Sequence, residues 1–403
     1  MPGSLTATRP AEPFAEPKAR LATAVDTART EILELSHRIH EHPEVAFEER
    51  QAAAWVADAL RRHGFDVEMP AGGLETAIRA IRRGGRGGAG PRIAILAEYD
   101  ALPGLGHGCG HNTMAASGVG AAIALASIAD ELPGEIVFLG TPAEERGSGK
   151  AMMIEAGLFE GIDAALLFHP CDRSHVESRP LASEDVEVIF HGLQAHAAAD
   201  PWKGKNALDA MVLLFSSVGL WRQQLRPDAR VHGIIQEGGT AANIIPDRTR
   251  AWFMLRSPDQ AEYEHIKRRF RELVDGAALA TETAAEVTFS GGAMTMHQNQ
   301  TLEARWVANA AAYGVVDQGP DPNAGSTDMG NVSWVCPTIH PELSIADEGT
   351  PGHSIRFRDA AATPRADETT LLAATLVAQA AYELFADPQL VQAAWREFRG
   401  ETG

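Results

Sequence analysis

Cysteine is scarce in this chain. Only three occur, at positions 109, 171 and 336, too few and too widely spaced for a disulfide framework. Such usage suits a reducing compartment, and a cytoplasmic location is the expectation. Positive charge is also in short supply: 35 Lys and Arg face 54 Asp and Glu, for a formal net charge of −19. That balance makes nucleic acid an unexpected partner. No apolar run reaches the roughly 20 residues that span a bilayer, so no membrane partner is expected either. Residues 1–17 are rich in Pro, Ala and Thr, lack the apolar core of a signal peptide and read as a disordered arm. There is no internal repeat, and the single low-complexity stretch is the Gly/Arg loop Arg83–Gly90. The remainder, 45% hydrophobic and 22% charged over 403 residues, is ordinary for a globular protein with room for two or three domains.

The first third alternates between elements. Residues 18–41 and 47–64 carry helix-period apolar positions, interrupted at His42-Pro43. Three short apolar strands follow, Arg92–Ala97, Glu135–Gly140 and Ala164–Phe168, separated by helices expected over Thr113–Leu132 and Lys150–Phe159. This repetition predicts an α/β fold with a mostly parallel sheet flanked by helices. From Glu184 the order becomes β-α-β-β-α-β, the ferredoxin-like order of an inserted α+β unit. Near Gln298 the chain returns to α/β. The expected division is a catalytic domain of residues 18–183 and 297–403, interrupted by a lid of residues 184–296.

Each of the three strands ends in a polar cluster, where open α/β sheets bind ligands. Glu98-Tyr99-Asp100 follows the first. Shortly after it comes Cys109-Gly110-His111, a thiolate and an imidazole two residues apart, able to point to one side of an extended segment. That pair suits zinc or another late first-row metal. On its own, a buried free cysteine beside core histidines explains it equally well. Glu144-Glu145 follows the second strand: one carboxylate can ligate a metal while the other takes a proton from water. A solvated acidic pair is the commoner occurrence, but this pair ends the strand after the one leading to the Cys/His cluster. His169 ends the third strand. His353, in a distant Gly/Pro loop, can close a metal site begun elsewhere. His107 reads as structural, His37, His40, His42 and His63 as surface or packing residues, and Cys171 and Cys336 as small core residues. Trp202, Trp252 and Trp334 can line an apolar pocket but are more often core.

These segments, with His37–Glu49, Ala195-His196-Ala197-Ala198, Gly238–Pro246 and Gly325-Ser326-Thr327-Asp328, resemble the aminoacylase/carboxypeptidase-G2 family of metallopeptidases. Within it they are most similar to the amidohydrolase branch, which includes aminoacylase-like dipeptidases and p-aminobenzoyl-glutamate hydrolase. The resemblance implies two divalent metal ions, zinc first with Mn, Co or Ni as alternatives, held by Cys109, His111, Glu145, His169 and His353. Glu144 is implied as general base. A homodimer through the inserted domain is implied, with His196 reaching the partner's site as an oxyanion donor and Asn243 contacting substrate. Arg256 is placed as a holder of a substrate carboxylate, although a charged strand end explains it equally well. One departure is visible: the wider family's His-x-Asp becomes Glu98-Tyr99-Asp100, so Cys109 stands in for the lost imidazole. Asp100 is expected to orient a ligand. The expected activity is metal-dependent hydrolysis of an amide in a dipeptide or N-acyl amino acid. The alternatives are a strict dipeptidase or carboxypeptidase, a non-catalytic metal-binding scaffold, and a Cys109 nucleophile, for which His111 is too close to act as base.

Overall fold

The computed structural model describes residues 14–87, 90–320 and 325–401. Most of the expected N-terminal arm, and Gly88-Ala89 of the Gly/Arg loop, lie outside them. The last residues of that segment are helical: a helix is formed at Ala15–Thr27, with Pro17 in the first turn, where a missing N–H breaks no helical bond. The helix expected over 18–41 is two, Ala15–Thr27 and Arg29–Glu41, parted at Ala28. A third, Arg50–Arg62, buries Val56, Ala57 and Leu60 along one face.

Among the described residues twelve strands follow: β1 (Asp66–Glu68), β2 (Ile78–Arg83), β3 (Arg92–Glu98), β4 (Glu135–Thr141), β5 (Ala164–Leu166), β6 (His169–Cys171), β7 (Ala182–His191), β8 (Arg230–Glu237), β9 (Arg248–Ser257), β10 (Ala284–Ala293), β11 (Thr338–Ile339) and β12 (Glu342–Ser344). The main sheet runs β1-β2-β4-β3-β5-β11, with β4, β3, β5 and β11 parallel and β1 and β2 antiparallel at one edge. The parallel strands β3 and β4 are apolar between their polar ends because both faces are covered. The antiparallel pair β1–β2, interleaved with arginine and acid, escaped the hydrophobic-run reading.

Against this sheet lies the helix His111–Ala126, almost wholly buried and built from small residues. A Cβ at its Gly118 would sit 3.0 Å from the Leu96 carbonyl, so close helix–strand approach requires glycine there. The helix Pro364–Ala386 packs on it. It is long and apolar enough to cross a bilayer, but 83% of its apolar window is buried inside the protein, as in a core helix.

A second, four-stranded antiparallel sheet has the order β10-β7-β9-β8. Helices Ala207–Trp221 and Gln260–Thr281 cover one face, over a core of its own containing Val186, Phe190, Phe253 and Phe270. Alternation along β7 and β9 turns Ser183, Asp185, Met254 and Arg256 to the other face. That face looks across a cleft toward the ends of the parallel strands.

Candidate metal centre

Because β3, β4 and β5 are parallel, the segments that leave them emerge on one side of the sheet. Cys109 is held just before the helix His111–Ala126 by Gly110, whose φ of +78° is left-handed. A Cβ on Gly110 would meet Pro170 at 2.7 Å, so glycine lets the Cys109 turn approach the His169 segment. The Cys109 Sγ and His169 Nε2 lie 3.5 Å apart. His169 Nδ1 donates to the Pro170 carbonyl at 2.7 Å, which leaves Nε2 facing the cluster.

His111 is oriented in the same way. Its Nδ1 donates to the Asp100 carbonyl at 2.9 Å and to Asp100 Oδ1 at 3.0 Å. The other Asp100 oxygen accepts the Glu145 backbone N–H at 2.9 Å, so one carboxylate sets both a histidine ring and the acidic turn. His111 Nε2 points to Glu98 Oε2 at 3.2 Å. His353, at φ +55° in its Gly/Pro loop, brings Nε2 to 3.4 Å from Glu145 Oε2.

The tertiary structure therefore brings five of the expected residues together. Cys109, His111 and His169 form one group of ligand atoms within 4.8 Å of one another; Cys109, Glu145 and His353 form a second, with Cys109 common to both. A third joins Glu98, His111 and Glu144. Glu145 Oε1 and His111 Nε2 are buried without a hydrogen bond, the latter facing Glu98 Oε2. Cysteine sulfur, imidazole and carboxylate donors in one cluster are a set that fits late first-row cations.

The electrostatics point the same way. Burial opposes a charge on His111, but Cys109, Asp100 and Glu98 together hold its pKa well above the ordinary value, so the site draws positive charge to itself. Burial, then the Glu98, Glu145 and Asp328 charges, push Glu144 well above the usual carboxylate range. Glu145 is held below that range: burial acts against it, but the hydrogen bond to His353 and the His111 charge prevail.

Two participants escaped the sequence reading. Glu98, read above only as a departure from His-x-Asp, reaches the cluster, and Lys150 lies beside it. Lys150 Nζ is 2.6 Å from Glu98 Oε1 and 2.5 Å from Asp328 Oδ1, with all three side chains buried. Burial acts to raise Glu98, but Lys150 and His111 outweigh it and hold the carboxyl at about 2. No local pattern marked Lys150; it lies in a loop-to-helix stretch with no charged neighbour nearer than Arg146.

The remaining candidates divide. Arg256 lines a cleft of about 440 Å³ together with Glu144, Glu145 and His353. His196 and Asn243 do not line it. They adjoin each other instead, in an exposed part of the second domain, where the Ala197 N–H donates to the Asn243 carbonyl at 3.1 Å. His107 is buried and stacked on His40, with ring centroids 6.1 Å apart. Cys336 is buried, but Cys171, expected in the core, is half-buried beside His175 and Glu342. Trp202, Trp252 and Trp334 are exposed and do not line this cleft.

A parallel sheet beyond whose strand ends Cys, His and Glu side chains suited to metal binding gather, facing a second, antiparallel sheet, has the makings of a metallohydrolase. The chain belongs to the peptidase family M20/M25/M40, whose pattern it matches over residues 94–375. It is 38% identical to a mouse Xaa-Arg dipeptidase, over 97% of this chain and 96% of that protein. It is 30% identical to a p-aminobenzoyl-glutamate hydrolase chain of Escherichia coli, over 94% of each. Its fold matches a dinuclear metal-binding peptidase of the M20 family from Bacillus subtilis with a TM-score of 0.68, at 22% identity over 90% of this chain and 99% of that one.

Proposed function

We propose that the chain hydrolyses dipeptides carrying a basic C-terminal residue, with Glu144 as general base beside two divalent metal ions. The observation that carries this reading is the convergence of Cys109, His111, Glu145, His169 and His353 in two ligand groups, with Glu144 beside His111 and with Glu144, Glu145 and His353 lining the cleft. The preference for dipeptides draws on the Xaa-Arg dipeptidases of mouse and human, at 38% and 35% identity. Two ligand groups that share Cys109 support two ions, which Cys109, His111, Glu145, His169 and His353 would hold, and the mixed S, N and O donors favour zinc over manganese, cobalt or nickel. When bound, the ions supply Lewis acidity for the substrate carbonyl and its attacking water.

The chain's own groups do the rest. Asp100 fixes the His111 ring and the Glu145 turn. Glu144, ionised once the local negative charge is offset, takes the proton of the attacking water and passes it to the leaving amine. Arg256 holds the α-carboxylate of the substrate. His196 Nδ1 accepts the Ala198 and Ala199 N–H groups, each at 3.2 Å, so the proton of the neutral ring resides on Nε2. That N–H serves as an oxyanion donor in a partner subunit, with Asn243 beside it. The dimer forms along the edge strand β8, where Ile234 is 56% exposed, and the neighbouring helix, where Leu220 is 78% exposed. The three free cysteines fit a cytoplasmic enzyme.

The decisive experiment is a set of substrates, Xaa-Arg dipeptides, N-acetyl amino acids and p-aminobenzoyl-glutamate, given to protein reloaded with Zn, Mn, Co or Ni after chelation. Xaa-Arg peptides should be cleaved fastest and only with metal. Activity that survives phenanthroline, or that ignores the dipeptides, overturns the reading.

A further inference from the structure

Four carboxylates line the cleft: Glu144, Glu145, Asp185 and Asp328. Glu144 and Glu145 belong to the metal cluster, and Asp328 is engaged by Lys150. Asp185 pairs with no cation among the described residues. Its Oδ1 is shut off from solvent and makes no hydrogen bond. An ionised oxygen left buried and unpaired is costly, and a site that receives a cation is one place where that cost is recovered.

The register of the lid sheet gives Asp185 a companion. On β7 and β9, Asp185 lies opposite Met254 and Ser183 opposite Arg256, so Asp185 and Arg256 are diagonal neighbours on the cleft face. Such neighbours stand roughly 7–8 Å apart along the backbone. They do not neutralise each other: Arg256 Nη2 contacts Met254 Sδ at 2.9 Å, and its Nε is also buried without a hydrogen bond. An anion and a cation, adjacent but unpaired, face one cleft. Met254 lies beside them, and Gly291 and Ala293 keep the wall next to Asp185 low.

We infer that Asp185 is the counter-ion for the cationic side chain of the substrate's C-terminal residue, a guanidinium or ammonium group. The inference rests on the hydrolase reading above and adds the subsite that selects the residue. Arg256 takes the α-carboxylate, Asp185 takes the side-chain charge, and Met254 packs along the aliphatic stem between them. The two strands thereby measure the separation between the two charges of a basic amino acid.

The test compares β-alanyl-arginine with β-alanyl-citrulline, whose neutral ureido group has nearly the same shape. Wild-type protein should favour the arginyl peptide in kcat/KM by at least about 30-fold, equivalent to about 2 kcal/mol for a charged hydrogen bond. In Asp185→Asn that ratio should collapse to within about threefold, chiefly through KM for the arginyl peptide. Free arginine should inhibit the wild type far better than free citrulline, a comparison that needs no variant to fold. Equal turnover of both peptides by the wild type, or an unchanged ratio in folded Asp185→Asn, overturns the assignment. Failure to cleave either peptide, or any N-acyl amino acid, by the metal-loaded protein overturns the hydrolase reading instead.

Discussion

Glu49 Oε1 accepts the backbone N–H of Ala143 at 2.9 Å, so a residue of the N-terminal segment anchors the turn that presents Glu144. The same carboxylate accepts the Phe47 N–H and the Thr76 hydroxyl, both at 2.9 Å. Ala143 sits at φ +58°, a left-handed conformation that an alanine adopts only when its surroundings enforce it. Glu49→Ala should lower kcat by at least about tenfold and cost about 1–3 kcal/mol of stability by orphaning buried donors. Stopped-assay kinetics with parallel metal analysis checks this. A variant that loses stability but keeps kcat would reduce Glu49 to a purely structural part.

Glu144→Gln removes the proposed base while keeping the shape of the side chain. Turnover should fall by about 10²–10⁴, the range for a positioned general base, with KM and bound metal little changed. Metal loss that parallels the loss of rate would instead make Glu144 a ligand.

Lys150 is the buried cation between Glu98 and Asp328. Lys150→Met leaves two buried carboxylates facing each other and should destabilise the fold by about 3–5 kcal/mol in urea unfolding. Adding Asp328→Asn should recover part of that loss, because the pair acts as one network. Strict additivity of the two substitutions would contradict the coupling.

Glu303 offers a pH test far from the metal cluster. Burial, followed by the charges of Glu177, Glu397 and Asp317, raises its carboxyl to about 7. The folded state therefore keeps this proton longer than the unfolded chain, whose carboxyl ionises near 4.5. Between those values the native state binds more protons, so this group's contribution to stability declines as pH rises from about 4.5 to about 7. Glu303→Gln should flatten that part of the profile and raise Tm at pH 8 relative to wild type. Thermal scans at pH 4, 6 and 8 report it; an unchanged slope contradicts it.

How much of this was legible in advance depends on the range of the interaction. Short apolar runs marked β3, β4 and β5, since burial on both faces leaves few polar residues in a strand. The polar clusters at their ends followed directly, because parallel strands deliver their carboxyl ends to one edge. The β-α-β-β-α-β order of residues 184–290 was equally readable from periodicity. Less visible were β1 and β2, whose charged residues obscure the pattern, and the break at Ala28, which no proline or glycine announces.

The sequence by itself determined the fold class and the metal-ligand candidates, because Cys109-Gly110-His111 and Glu144-Glu145 are adjacent in the chain and tied to strand ends. Only the tertiary structure decided which charges meet. It set His353 against Glu145, placed Lys150 between Glu98 and Asp328, tied Glu49 to Ala143, and put Asp185 diagonal to Arg256. Those pairings arise from strand register and from which side chains are buried together. Both are properties of chain segments 50 to more than 200 residues apart, and local hydropathy does not encode them.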